Sequence, residues 1–286
     1  MIFCLVCSQR IFQRIMATSF KRNRTQEYIE SEIDPTYDPL DDDISKRKAF
    51  QQKSELFMFS TCQKIIIRSY LEQDAYDYLF SAFVSFFNGI QNICENNYSW
   101  STVELYYTMF YLFRTKLHLE GIAIFRASQM YYLDTKNSDK IRTIDKKKYS
   151  NTHEGTIKLF EKFFGKTDIT YTNTVEYNIP IEWMKEKREI VNYLSVEFLE
   201  PKFFPYFEKF SSALKVKEST IKIINDNSFA FQEEFAILGL PLLLFKEIIV
   251  DYNINVHKIW AQEKTDYILS KIDQYGLDDI KKYLCM

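Results

Sequence analysis

From Ala49 to about Asn97, apolar residues recur at mixed three- and four-residue steps, Phe57, Ile65, Tyr78, Phe83, Phe86, Phe87 and Ile90 among them, and this spacing predicts helix. Tyr98-Ser-Trp-Ser101 breaks the run and offers Ser99 or Ser101 as the N-cap of a second helix, from about Thr102 to Leu119. Within it Tyr106, Met109, Phe110, Phe113 and Leu117 share one side, while Glu104, Thr108, Tyr111 and Thr115 share another. One face is therefore expected to pack and the other to stay free. The stretch from Gly121 to Leu133 is richer in β-branched and aromatic residues and reads as a short hairpin or extended insertion, followed by a basic, polar loop at 134–150. A helix resumes at about His153 and ends near Gly165. Pro180 suits the first turn of a third helix, Ile181 to about Phe198, closed by Pro201. The last 75 or so residues read as three or four more helices, with Trp260, Tyr267, Ile268, Ile272 and Tyr275 forming an amphipathic set. The expected fold is mainly α: a helical bundle over residues 49–210 with a short β-like insertion, and a C-terminal helical extension over 211–286.

Composition supports the helical reading. Aromatic residues make up 17% of the chain, with 25 Phe and 20 Tyr against 6 Gly and 6 Pro, so turns are scarce and continuous elements are favoured. At 286 residues and 46% hydrophobic, the chain has enough core for one large domain or two modest ones. The segment before the bundle differs. Lys21-Arg-Asn-Arg24 is basic, and Asp34-Pro-Thr-Tyr-Asp-Pro-Leu-Asp-Asp-Asp43 is acidic with two prolines, so residues 1–48 are expected to form a flexible, solvated arm. Met1 to Val6 is apolar but lacks a positive leader, which argues against a secretory signal; Met16 is an alternative start. The longest apolar run of the body, Phe235 to Phe245, is interrupted by Pro241, stopped by Lys246 and Glu247, and falls short of the ~20 residues that span a bilayer. It reads as buried core, and no membrane association is expected.

Charge and cysteine usage narrow the chemistry. With 37 basic and 39 acidic side chains the net charge is −2, so a polyanion would need a local basic patch. Lys136, Lys140, Arg142, Lys146, Lys147 and Lys148 are the candidates, with a solvated loop as the plain alternative. The five cysteines, at positions 4, 7, 62, 94 and 285, are odd in number and scattered, which fits a reducing cytoplasm better than a disulfide framework. Cys4-Leu-Val-Cys7 has the spacing of half a zinc site without a second ligand pair, and the histidines are His118, His153 and His257. No glycine-rich phosphate loop, G-x-S-x-G elbow or metal triad is present, so neither cofactor nor metal is expected.

Three separated pieces carry the remaining chemistry: Tyr106-Tyr107 with Phe110 in the long helix, Thr152-His-Glu-Gly155 opening a helix that runs to Leu159-Phe160, and Arg188 with Tyr193 in the third helix. In this order they resemble HEPN domains over roughly residues 55–205. These are small all-α bundles of prokaryotic toxin–antitoxin, abortive-infection and other phage-defence proteins, and of eukaryotic stress proteins. Many are metal-independent endoribonucleases that act as dimers, with an Arg followed after four to six residues by a His. The ribose 2′-hydroxyl attacks the adjacent phosphate, which calls for a proton acceptor near neutral pH and a cation for the charge that develops on phosphate. Arg188 matches the cation; the positions for the His hold Tyr193, Leu194 and Ser195. A phenol is a poor general base near neutrality. Asn192 shares a face with Arg188 at four-residue spacing and offers a hydrogen bond but no useful base. Glu104 resembles the polar residue that some family members place opposite the Arg, and His153 completes the candidate set. Each has a plainer reading: Arg188 ion-paired with Glu182, Glu186 and Glu189, Tyr193 in the core, His153 as a capping or packing residue, the Tyr106-Tyr107 stripe as core. Two functions follow from the resemblance: an RNA-binding or RNA-cleaving protein of a bacterial defence or toxin system with its site built around Arg188, or a catalytically inactive HEPN-like scaffold that dimerises or docks a partner protein.

Overall fold

The computed structural model describes residues 23–39, 41, 43–126, 129–144, 152–194, 200, 204–278 and 280–281. Cys4, Cys7, Cys285, Lys146 to Lys148, Ser195 and the expected continuation of the third helix to Phe198 lie outside them. The described chain is mainly α with one small antiparallel sheet, and it divides into two compact units: residues 1–74 with 121–149, and residues 75–120 with 150–286.

In the first unit, helix α1 (Arg24–Ile33) begins at Asn23, whose side chain accepts the Gln26 backbone N–H at 2.8 Å. Helix α2 (Ile44–Leu56) is capped in the same way by Asp43, and α3 (Thr61–Cys94) contributes its residues up to Asp74. Strands β1 (Ile122–Arg126), β2 (Met130–Asp134) and β3 (Arg142–Thr143) form the sheet in that order. Ile29 and Ile33, one helical turn apart, are buried with Phe50, Ile67, Leu71 and the hairpin's Phe125, Tyr131 and Leu133. Asp74 fixes the start of α1: it accepts the Thr25 N–H at 2.9 Å and hydroxyl at 2.7 Å and pairs with the Arg24 guanidinium at 3.0 Å. The expectation of a solvated arm is therefore corrected over residues 24–33, where a basic and an acidic block flank a short apolar face that does pack. The expected helix over 49–97 is two helices, separated by Phe57 to Ser60, where Met58 bridges to Lys140.

The second unit is built around α4 (Tyr98–Leu119), which packs against α5 (Thr152–Phe164), α7 (Pro180–Glu189), a π-helical turn over Ile190–Leu194 and α9 (Glu233–Asp251). The short α6 (Ile169–Thr172) lies between α5 and α7 in the chain. Helices α8 (Ala213–Asn225), α10 (Val256–Ile259) and α11 (Gln262–Tyr275), with two 3₁₀ turns at Pro205–Phe210 and Asn227–Phe231, complete it. The face expected to be free is closed at Thr108 and Thr115, which are fully buried, and only partly open at Glu104 and Tyr111, which are half-buried. The helix starts at Tyr98, and neither serine caps it. Ser99 donates its N–H to Glu200 at 2.6 Å, and Ser101 donates its hydroxyl to the Gly89 carbonyl at 2.9 Å. Gly89 also lets α3 and α4 approach closely, since a Cβ there would sit 2.8 Å from Leu105 Cγ. Residues 211–286 belong to the same unit as α4, which differs from the boundary expected at 210. The reason is α9, apolar on all sides and continuous through Pro241: it must be covered, and Phe245 stacks on Phe83 at 4.3 Å.

Candidate functional site

Three elements of the second unit converge. Helix α4 supplies Tyr106, Tyr107 and Phe110; the first turn of α5 supplies His153; α7 and the π turn supply Arg188 and Tyr193. In a regular α-helix residues five apart point about 140° away from each other. The wider i to i+5 winding of the π turn brings Tyr193 round to Arg188, whose Cζ lies 5.7 Å from the Tyr193 ring centroid and 4.7 Å from that of Tyr106. The guanidinium thus has one buried and one exposed tyrosine ring beside it, with Tyr106 at 1% exposure and Tyr193 at 72%. Tyr193 is not a core residue. Arg188 makes no ion pair with Glu182, Glu186 or Glu189, where Glu186 instead approaches Lys187 at 3.9 Å. Its Nε is enclosed without a hydrogen-bond partner, a state that costs about 1–3 kcal/mol for a buried donor.

The His153 ring packs 4.3 Å from Phe110 and 5.3 Å from Tyr107, centroid to centroid. Burial and then the positive fields of Arg188 and Arg114 hold its imidazole below the ordinary histidine range, so it is neutral at pH 7. Its Nδ1 is enclosed without a partner. The Tyr106 phenol is pushed up to about 12 by burial, an effect Arg188 offsets only in part. A neutral base beside a fixed, unpaired cation is what attack of a hydroxyl on a phosphate diester requires.

Two of the expected residues do not join. Glu104 is half-buried, raised above the usual carboxylate range by that burial, and within hydrogen-bonding reach of Ser85; no ion pair links it to Arg188. Asn192 is exposed without a hydrogen bond to any described residue, because the π turn places Tyr193 where a regular helix would place residue 192. Of the basic loop, Lys136, Lys140 and Arg142 belong to the first unit.

Two further residues carry the same signature. Arg114, 5% exposed, donates from Nη2 to the Tyr78 hydroxyl at 2.8 Å, lies 4.9 Å over that ring, and has an unpartnered Nε. His118, one helical turn on and 2% exposed, has both ring nitrogens enclosed without partners; burial and then Arg114 hold it well below its ordinary value. The sequence signal for them was an Arg and a His four apart inside an otherwise aromatic helix. Among the described residues no group of His, Cys, Asp or Glu could hold a metal ion, and no helix is long and apolar enough to cross a membrane. Comparison with known proteins finds no matching family model, no matching curated protein and no matching solved structure.

Proposed function

We propose that this chain is a HEPN-like protein of a bacterial defence or toxin system, acting in the cytoplasm, that binds RNA at Arg188 and cleaves it without metal. The observation that supports this reading is the Arg188 guanidinium, set between the Tyr106 and Tyr193 rings with no carboxylate paired to it and a neutral His153 in the same cluster. Each part has a task. The planar guanidinium binds a phosphate and takes up the charge that grows on its oxygens. The exposed Tyr193 ring stacks on a base. His153 accepts the 2′-hydroxyl proton; the 2′-oxygen bonds to phosphorus, the bond to the 5′-oxygen breaks, and the leaving oxygen takes a proton from the imidazolium or from water. In this reading the imidazole comes from α5 and not from the helix that carries the Arg, which accounts for a third helix with Arg188 and no His after it.

The test is incubation of the purified protein with end-labelled single-stranded RNA in EDTA, comparing wild type with Arg188→Ala, His153→Gln, Tyr193→Phe and Tyr193→Leu. Cleavage persists in EDTA, is lost in the first two, survives in Tyr193→Phe and weakens in Tyr193→Leu. Binding without cleavage in every variant removes the catalytic half of the proposal. No binding at all leaves the HEPN-like scaffold that dimerises or docks a partner protein.

A further inference from the structure

We infer that Tyr106 is a positioning residue for the proposed cleavage: its buried ring holds the Arg188 guanidinium and the His153 imidazole in one fixed arrangement, without touching the RNA itself. The inference rests on the RNA-cleaving reading of the Arg188 site and adds what keeps its two working groups in register. Three elements meet at this ring. The Arg188 Cζ, from α7, lies 4.7 Å from its centroid, and the His153 ring, from α5, lies 6.3 Å away and within 25° of parallel. Tyr107, next on α4, closes another side edge-on at 5.7 Å. At 1% exposure Tyr106 cannot meet a ligand, so whatever it does for the reaction it does through those neighbours.

Both neighbours lack the polar contacts that would otherwise fix them. No ion pair with a described residue holds Arg188, and its Nε is enclosed without a hydrogen-bond partner. Its direction is set by ring faces, on which a planar cation is attracted to lie, and by the Tyr106 hydroxyl within hydrogen-bonding reach. The His153 Nδ1 is likewise without a partner, so that ring is set by packing against Tyr106, Tyr107 and Phe110. A carboxylate in place of Tyr106 would hold Arg188 by neutralising it. The phenol does not: burial pushes it up to about 12, so it stays protonated and leaves the guanidinium its charge for phosphate. Arg188 and Arg114 act on His153 with their fields, and Arg188, Tyr107 and Glu189 act on Tyr106. Placement matters steeply in such a site, where a shift of about 1 Å can cost about 10²-fold in rate.

The experiment is single-turnover cleavage of end-labelled single-stranded RNA across acidic and neutral pH, with affinity read by anisotropy, on wild type, Arg188→Ala, Tyr106→Leu and Tyr106→Phe. Tyr106→Leu keeps the Arg188 charge and binds RNA within about threefold of wild type, but its rate at saturating RNA falls by about tenfold or more. With the ring gone His153 is less enclosed, its proton affinity rises toward that of an ordinary histidine, and the acid limb of the rate profile moves to higher pH. Tyr106→Phe restores the ring and with it the wild-type acid limb and a rate within about threefold of wild type. Should Tyr106→Leu melt below the assay temperature, Tyr106→Met, which fills the space without a flat ring, carries the same expectations. A rate and acid limb unchanged in the Leu or Met variant, while Arg188→Ala abolishes cleavage, overturn the positioning role and leave the Arg188 site standing. Rate and affinity that fall by the same factor show a contact with RNA or a loss of folded protein, and also overturn it. Wild type that cleaves no RNA overturns both.

Discussion

Arg114 and Lys116 stand two residues apart on one helix, both almost fully buried, and the fold treats them in opposite ways. Lys116 Nζ lies 2.6 Å from Asp168 and 2.5 Å from Glu247. Burial pulls its ammonium down, but the two carboxylates outweigh that and hold it above the ordinary lysine value. Asp168 in turn caps α6 by accepting the Thr170 N–H at 2.8 Å, so the pair also fixes a chain turn. Arg114, like Arg188, has ring faces and no counter-ion. A buried cation with its carboxylates supplied by the fold is part of an ion cluster; Arg114 is held instead by the Tyr78 hydroxyl and ring. The contrast sets a charge-compensated lysine beside an arginine without a counter-ion, on a single helix.

The largest expected effect lies on the matched side. Lys116→Ala leaves the buried Asp168 beside a half-buried Glu247 without their shared cation and costs about 3–5 kcal/mol in urea denaturation, while Arg188→Ala costs under about 1 kcal/mol, as a substitution that breaks no ion pair. Equal losses in the two would erase the distinction. Next comes catalysis: His153→Gln lowers the cleavage rate by about 10²-fold or more and leaves RNA affinity within about threefold, measured by single-turnover assay and anisotropy. A rate unchanged by this substitution removes His153 as the proton acceptor.

Acid sensitivity sharpens the comparison further. Burial and then the field of Arg114 hold the folded-state imidazole of His118 well below the ordinary histidine value of 6.5. Above that value both states are neutral there and the stability is complete; as the pH falls below it, the unfolded chain takes up a proton that the folded chain refuses. Stability therefore drops on acidification, by up to ~1.4 kcal/mol per pH unit for this residue. His118→Leu replaces two unsatisfied nitrogens with apolar volume, so it is near neutral for stability at pH 8 and flattens part of the acid limb in pH-dependent unfolding. An acid limb identical to wild type contradicts the buried, neutral assignment. The smallest effect is Tyr193→Leu: stability moves by less than ~0.5 kcal/mol, and octanucleotide binding weakens by the ~1–3 kcal/mol of one base stack.

Much of the fold could be read from residue patterns because its signals are local. The period of α4, Pro180 at the start of α7 and the β-rich stretch at 121–133 each report on their own backbone, and each element forms near its expected place. What escaped depends on neighbours. Ile29 and Ile33 are two apolar residues among charges and become a core face only when the hairpin covers them. Thr108 and Thr115 looked exposed from their own helix alone, whereas both are buried and the Thr115 hydroxyl donates to the Ala75 carbonyl of α3 at 3.4 Å. The π turn has no period of its own in the sequence, yet it decides that Tyr193 and not Asn192 meets Arg188. Arg188, Tyr193 and His153 were singled out from the order of three short segments, and the structure brings them to one cluster; Arg114 and His118 were passed over because only burial by neighbouring elements sets them apart.

The most direct measurement of the central claim, that Arg188 carries charge reserved for phosphate, is the salt dependence of RNA binding. A single phosphate contact contributes about −0.7 to the slope of log affinity against log salt for a single strand. Arg188→Gln is predicted to make the slope shallower by about that amount and to weaken binding at low salt, while Lys187→Gln, whose cation already pairs with Glu176 at 3.2 Å, leaves both unchanged. An Arg188→Gln slope and affinity equal to wild type would contradict the account.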